Sequence, residues 1–254
     1  KNIVIAIPPT MTKQIVFEPS LPVVREQLCD RVFMGCYTKC FVLYDHPFWR
    51  ERGNSGEAYS LTPSMEFPVQ AVYDSVSPSE KQFALCCFLA GDFALHFSTL
   101  SLTTQKQLIL NSITHFFNHE SNSILKSSNN NNNNTNKTNR NNDNENEVRK
   151  LQKIIDNPMD IRIQEWSKEK YTKGCPVNIF PPGSFARFSG VLRQTQWNQS
   201  LHFASTETAL QWTGYMDGAV ESGYRAANEI LQQRLEQQTR QQKRNKDINY
   251  NLKD

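Results

Sequence analysis

The sequence predicts a mixed α/β chain, and three stretches carry that reading. Residues 2–7 (NIVIAI) form a short apolar run rich in β-branched side chains and stopped by Pro8-Pro9, the pattern of a buried strand. Residues 31–44 alternate two faces over a long strand. Residues 201–231 (LHFASTETALQWTGYMDGAVESGYRAANEIL) read as a short buried strand, a tight turn and a helix beginning near Tyr215. Gly214, Gly218 and Gly223 punctuate that last stretch. A glycine inside a helix costs about 1 kcal/mol against alanine, so close backbone approach is the expected reason for them. The helix start offers free N–H groups and a partial positive charge, suited to an anion or a polarised oxygen; a tightly packed core explains the same pattern.

In chain order, Pro19 and Pro22 mark loops, and Pro22 starts a helix through Leu28. In the long strand one face carries Val32, Met34, Cys36, Thr38, Cys40 and Val42. The other carries Phe33, Gly35, Tyr37, Lys39, Phe41 and Leu43. Lys39 is out of place on an apolar face, so it either snorkels to an edge or reaches into a polar cavity. HPFW (46–49) closes the strand, and 83–90 is another buried one. Residues 103–117 have helical amphipathic spacing through Leu108, Ile113 and Phe117. His115 and His119 lie four apart at its end without a third ligand motif, so they read as a surface helix end and no metal is expected. Residues 121–147 are dominated by asparagine and are expected to be a disordered surface insertion. A helix at 148–155 and a strand at 160–166 follow. The tail beyond Leu231 continues the last helix and then frays.

A chain of 254 residues with 38% hydrophobic composition buries a real core, in one large domain or two. The net charge of +3 resides in the tail: residues 232–254 hold six basic and three acidic side chains, and the remainder is neutral. The body is therefore not expected to bind nucleic acid. The tail reads as a solvated polar helix, or as a surface for an acidic partner. Six cysteines without framework spacing indicate reduced, intracellular usage. No signal peptide opens the chain, and the apolar run 83–97 is broken by Gly91 and Asp92, so a soluble, cytoplasmic protein without a transmembrane helix is expected, organelle association staying open. The start at Lys1, already inside an apolar strand, reads as a fragment.

The local motifs GxGxxG, P-loop, GxSxG, HExxH and CxxC are absent. What carries chemistry is WSKEKYTKGCPVNIFPPG (166–183) and the stretch 201–231. Together with KNIVIAIPPT, the Lys39 strand and HPFWRERG, these resemble the flavin-containing monoamine oxidase family over most of the chain apart from the asparagine tract and the tail. The resemblance implies a Rossmann-like FAD-binding domain, discontinuous and incomplete here, plus a mixed-sheet substrate domain. Residues 1–28 and 169–231 would be FAD-domain segments, 29–168 the substrate domain with its insertion at 121–147, and 232–254 a polar helical tail. The glycine-loop unit that cradles pyrophosphate would lie upstream.

The resemblance also implies roles for individual residues. Cys175, nine residues after Trp166 and five before Phe180, matches the cysteine that forms a thioether to the flavin in animal members; a small buried cysteine is the plainer alternative. Pro176 stands where the family often has a tyrosine, half of an aromatic sandwich whose other half matches Tyr215. Glu207 matches an acidic cofactor-binding residue, against a capping or exposed carboxylate, and Ser205 replaces a glycine usual in that turn. Met216 and the helix start would direct N–H groups to the flavin, where reduction places negative charge. Lys39 matches the lysine that reaches flavin N5 through a water. Trp166 packs against the flavin, or in a core.

The implied function is FAD-dependent oxidative deamination of primary amines to aldehyde, ammonia and hydrogen peroxide, with a small amine and O2 as partners. A polyamine or L-amino-acid oxidase of the same superfamily remains an alternative that Pro176 leaves open, as does a catalytically inactive truncated relative. A homodimer also stays open.

Overall fold

The computed structural model describes the backbone of residues 1–76, 82–128 and 137–251, and the side chains of these apart from 118–145 and 246–251. The opening apolar run gives β1 (Ile3–Ile5), ended by prolines that cannot donate to a ladder. Then come α1 (Pro9–Thr12) and α2 (Val23–Arg31), the second entered directly from Pro22. The strand expected over 31–44 is broken. α2 runs on to Arg31, and Gly35 and Cys36 separate β2 (Phe33–Met34) from β3 (Tyr37–Tyr44). The break occurs because the backbone changes partner: Gly35 N donates to Val177 O at 3.1 Å, while Cys36 O accepts from Gly91 N at 2.9 Å.

The HPFW stretch forms a short helix, α3 (Phe48–Glu51), followed by β4 (Ala58–Tyr59), β5 (Ala71–Asp74), β6 (Phe83–Ala90) and α4 (Gly91–Phe97). α5 (Leu102–Ser128) and α6 (Lys137–Ile155) extend well past the amphipathic stretches. Residues 121–128 and 137–147, expected to be disordered, are therefore helical; residues 129–136 lie outside the described residues. A formed helix propagates far more easily than it nucleates, so an amphipathic segment anchored in a core can carry polar turns with it. β7 (Asp160–Glu165), β8 (Asn178–Ile179), α7 (Ser184–Leu192), β9 (Leu201–Phe203) and α8 (Met216–Asn251) complete the order. The tail is helical to Asn251, and no helix among the described residues is long and apolar enough to cross a membrane.

Two compact units result, Lys1–Gly35 with Lys170–Asp254, and Cys36–Glu169, so the chain divides after Gly35 and before Lys170. In the first unit β1 runs parallel to β9 with Val4 opposite His202, and β2 runs antiparallel to β8. β9 is buried at every residue, but Ile3 and Val4 of β1 are 52% and 43% exposed. The expected buried strand is thus an exposed one, because β9 is its only strand partner among the described residues. α2 packs on α7 through Leu28, Val32, Phe188 and Leu192. Arg25 closes that contact: it is buried, its Nη1 donates to Val191 O (2.6 Å) and Leu192 O (3.0 Å) at the end of α7, and its guanidinium lies 3.4 Å from the Phe203 ring centroid. The carbonyl end of a helix suits this cation. Burial lowers its pKa to about 10, which still leaves it charged at neutral pH.

The second unit holds one five-stranded sheet in the order β4-β5-β6-β3-β7. It was expected to be mixed and is antiparallel throughout, because β6 and β7 flank β3 on opposite sides and the long helical connection between them never makes them neighbours. Its inner face (Cys40, Val42, Val72, Leu85, Cys87, Leu89) is covered by Ile109, Ile113 and Phe117 of α5 and Leu151 and Ile155 of α6. Lys39, Phe41, Leu43 and Phe88 point to the other, half-buried face, the alternation expected of an antiparallel sheet with one covered side. Tyr44, Phe48 and Trp49 pack edge to face at the rim.

Asp74 locks that rim. Its Oδ2 accepts from Trp49 Nε1 (2.8 Å) and Arg50 Nε (2.6 Å), and its Oδ1 from Val76 N (3.0 Å). Burial pushes its pKa up, but the hydrogen bonds from Arg50 and Trp49 outweigh this and hold the carboxyl below its usual range. Asp74→Ala is expected to destabilise this unit by about 1–3 kcal/mol, the cost of leaving buried donors unsatisfied, as read by urea unfolding. A depressed folded-state pKa means the stabilisation is full above the ordinary carboxylate pKa and is lost as pH falls through the folded value, so the gap between wild type and variant should close in acid.

Candidate functional site

The segment before β8 is placed by backbone contact. Cys175 N donates to Gly35 O at 2.9 Å and Val177 O accepts from Gly35 N. A Cβ at Gly35 would stand 2.5 Å from Cys175 O, and one at Gly174, whose φ is +140°, would run into Gly35 O and the Met34 Cβ. Only glycines permit this approach. Cys175 is half-buried and Pro176 exposed. Two residues on, Asn178 is buried; its side-chain amide donates to Thr10 Oγ1 (2.9 Å) and Met34 Sδ, and its carbonyl accepts from Thr10 N (3.2 Å).

Asn178 N donates to Glu207 Oε1 at 2.9 Å. Glu207 sits in a 3-10 turn (Thr206–Thr208) directly after β9 and is 2% exposed. Its Oε2 is buried and has no hydrogen-bond partner among the described residues. The capping or exposed alternatives for Glu207 thereby fall away. The turn is pinned to the sheet by Ala204 N on Ile5 O (2.9 Å), to α8 by Ser222 Oγ on Ala204 O (2.6 Å), and by Arg225, which donates to Phe203 O and to Thr208 Oγ1.

Thr206 organises the entry to α8. Its Oγ1 accepts from Gly214 N (2.8 Å) and donates to Tyr215 O (3.1 Å). Gly214 has φ +90°, and a Cβ at Gly218 would run into Trp212 O, so both positions require glycine. Gly223 has no neighbour within 4 Å of such a Cβ, and nothing in the structure explains it. α8 begins at Met216, one residue after the expected start. The N–H groups of Met216, Asp217 and Gly218 lie in its first turn, where no intrahelical acceptor exists. Trp212, Tyr215 and Met216 are 64%, 65% and 86% exposed, with Trp212 edge-on to Tyr215 at 5.8 Å.

Cys175, Glu207, Tyr215 and Met216 thus belong to one unit, joined through the bond from Asn178 to Glu207. Lys39 and Trp166 belong to the other. Lys39 lies opposite Phe88 and Gln164 in the sheet register, and its Nζ is 4.9 Å from the Phe88 ring centroid. Trp166 opens a short 3-10 turn at the end of β7, two residues beyond Gln164, and is half-buried.

The sequence matches the family described as flavin containing amine oxidoreductase over residues 1–231. The chain belongs to this family. It is 32% identical over 231 residues to flavin-containing amine oxidase B of Homo sapiens, covering 91% of this chain and 37% of that protein. It is 30% identical over 230 residues to the probable flavin-containing monoamine oxidase A of Dictyostelium discoideum, covering 91% and 42%. Among solved structures, cyclohexylamine oxidase from Brevibacterium oxydans superimposes with a TM-score of 0.72 at 28% identity, covering 91% of this chain and 43% of that one. Putrescine oxidase bound to putrescine shares the fold, with a TM-score of 0.72 at 23% identity over 91% and 42%. The chain therefore spans about two-fifths of the length of these relatives.

Family membership implies FAD, and the residues fit it. A buried carboxylate oxygen without a donor among the described residues, a helix start whose N–H groups have no intrahelical acceptor, and exposed aromatic and thioether side chains together suit a flat ring with a polar edge. Sequence reading had missed Thr206, Asn178, Gly35 and Gly174. Isolated glycines in a strand and before a cysteine are signals of close backbone approach; the Thr206 and Asn178 contacts leave no local signal. Thr206→Val should cost about 0.5–1.5 kcal/mol by removing the bonds to Gly214 N and Tyr215 O. Thr206→Ser should restore most of this, and faster amide exchange at Gly214 in the valine variant would locate the loss.

Proposed function

We propose that the protein containing this chain oxidatively deaminates small amines, with FAD tethered through Cys175. The observation that carries this reading is the bond from Asn178 N to Glu207, which brings the Cys175 segment and the Tyr215 turn together in one unit of a family member. Overall, amine, O2 and water give aldehyde, ammonia and hydrogen peroxide. The chemistry supplied by bound FAD is two-electron oxidation of the amine to an imine and delivery of those electrons to O2.

The chain's own residues bind and orient. Glu207 Oε2 would accept from a cofactor donor, which its burial without a partner among the described residues favours. The first-turn N–H groups at Met216 hold negative charge. The exposed Tyr215 ring offers its face to the amine. Trp166 supplies packing surface, and Lys39 supplies a positive charge that favours electron transfer to O2. No strong base is required, because an apolar surrounding disfavours the ammonium form and presents neutral amine.

Pro176 supports a wider amine range than an aromatic residue there would allow. It is exposed and saturated, so aliphatic amines lose no stacking partner at that position relative to aromatic ones.

The full-length protein should release peroxide with tyramine, benzylamine or cyclohexylamine, and not with leucine. A flavin-loaded protein that releases none with any amine would sink the reading. Lys39→Met is expected to slow reoxidation by O2 about tenfold to hundredfold, as measured by stopped-flow absorbance, while amine oxidation in the reductive half-reaction changes less.

A further inference from the structure

We infer that Gly35 is a positioning residue for Cys175: its backbone forms a seat that sets where the Cys175 thiol stands, and the efficiency of covalent flavin attachment depends on it. The inference rests on the reading that Cys175 carries the flavin.

The seat has two hydrogen bonds in opposite directions. Gly35 N donates to Val177 O at 3.1 Å, and Gly35 O accepts from Cys175 N at 2.9 Å. The ladder of β2 and β8 continues directly from it, with Met34 opposite Asn178 and Phe33 opposite Ile179. Neither glycine has room for a side chain. A Cβ on Gly35 meets Cys175 O at 2.5 Å, Cys175 C at 3.3 Å and Pro176 Cδ at 3.4 Å. These are backbone and ring atoms, so relief requires the Cys175 peptide itself to move. From the other side Gly174 closes on Gly35 O with φ +140°. The far end of the segment is fixed independently, by Asn178 N on Glu207 Oε1 and by the Asn178 side chain on Thr10 and Met34. A displacement at Gly35 therefore falls on Cys175 and Pro176 while Glu207 keeps its partner.

Attachment makes stringent demands on that position. The thiol S–H and one C–H of the flavin methyl break, an S–C bond forms, and two electrons with two protons pass to O2 as hydrogen peroxide. Bond formation requires the sulfur at near-contact distance from that carbon, and an ångström of misplacement is enough to suppress it. Reversible binding of FAD, spread over many contacts, is much less sensitive.

The test uses the full-length enzyme and reads flavin rather than turnover. Flavin retained by native protein after desalting gives total binding; flavin remaining with acid-precipitated protein gives the covalent part. Gly35→Ala is expected to keep flavin in the native protein while the covalent fraction falls about tenfold to hundredfold. Asn178→Ala, which removes the outer side-chain anchors and leaves the Gly35 bonds, should keep the covalent fraction even though the fold is weakened. Gly174→Ala, pressing on the seat from the opposite side, gives the same reading as Gly35→Ala if that variant does not accumulate. A wild-type covalent fraction in Gly35→Ala or Gly174→Ala, or an equal loss in Asn178→Ala, overturns the positioning role. Flavin released entirely by acid from the wild type would instead overturn the Cys175 tether on which the inference rests.

Discussion

The bond from Asn178 N to the Glu207 carboxylate is the constraint around which the first unit is arranged. A carboxylate this deeply buried is expensive unless its oxygens are hydrogen-bonded. One backbone amide serves Oε1, and Oε2 has no donor among the described residues. The turn is nevertheless fixed to β1 by Ala204 N on Ile5 O and to α8 by Ser222 and Arg225. The protein thus holds a half-satisfied acceptor in place, and a cofactor donor arriving at that oxygen would recover desolvation cost already incurred. Binding there would stabilise the fold by mass action as well as place the ligand.

What the sequence made legible follows the range of each interaction. The strand–turn–helix of 201–231 was readable because its signals are local: a strand with apolar Leu201 and Phe203, then glycines at Gly214 and Gly218 where the turn closes on itself. The same rule misled at Gly223, which has open space around it. The bonds from Thr206 to Gly214 and from Asn178 to Glu207 span eight and 29 residues, and neither leaves a periodic trace. β1 shows the other limit. Its composition marks a buried strand, but burial depends on what stands beside it, and only β9 does so among the described residues.

The second unit carries a similar lesson through alternation. Period-two patterning placed Cys40 and Val42 on one face and Lys39 on the other, and both placements hold. It could not show that the strand stops at Gly35, because the break comes from a change of hydrogen-bonding partner. Nor could it show that the sheet is antiparallel throughout, since that follows from which strands become neighbours. Lys39 stood out because a charged residue on an apolar face needs an explanation. The structure puts its amine beside the Phe88 ring on the half-buried face, where an aromatic surface suits a cation.

Proline at position 176 bears on how the neighbouring cysteine is held. It has no N–H, so it can make no ladder bond of its own between Cys175 and Val177. The amides on either side, those of Cys175 and Asn178, are committed to Gly35 O and Glu207 Oε1. The backbone of this segment is therefore fixed at its two ends and bridged by a rigid ring, and the position of the Cys175 Cβ follows from main-chain geometry. On the proposed reading attachment and selectivity would be separable: the seat at Gly35 would set where the Cys175 backbone stands, and residue 176 together with Tyr215 would bear on which amines are accommodated.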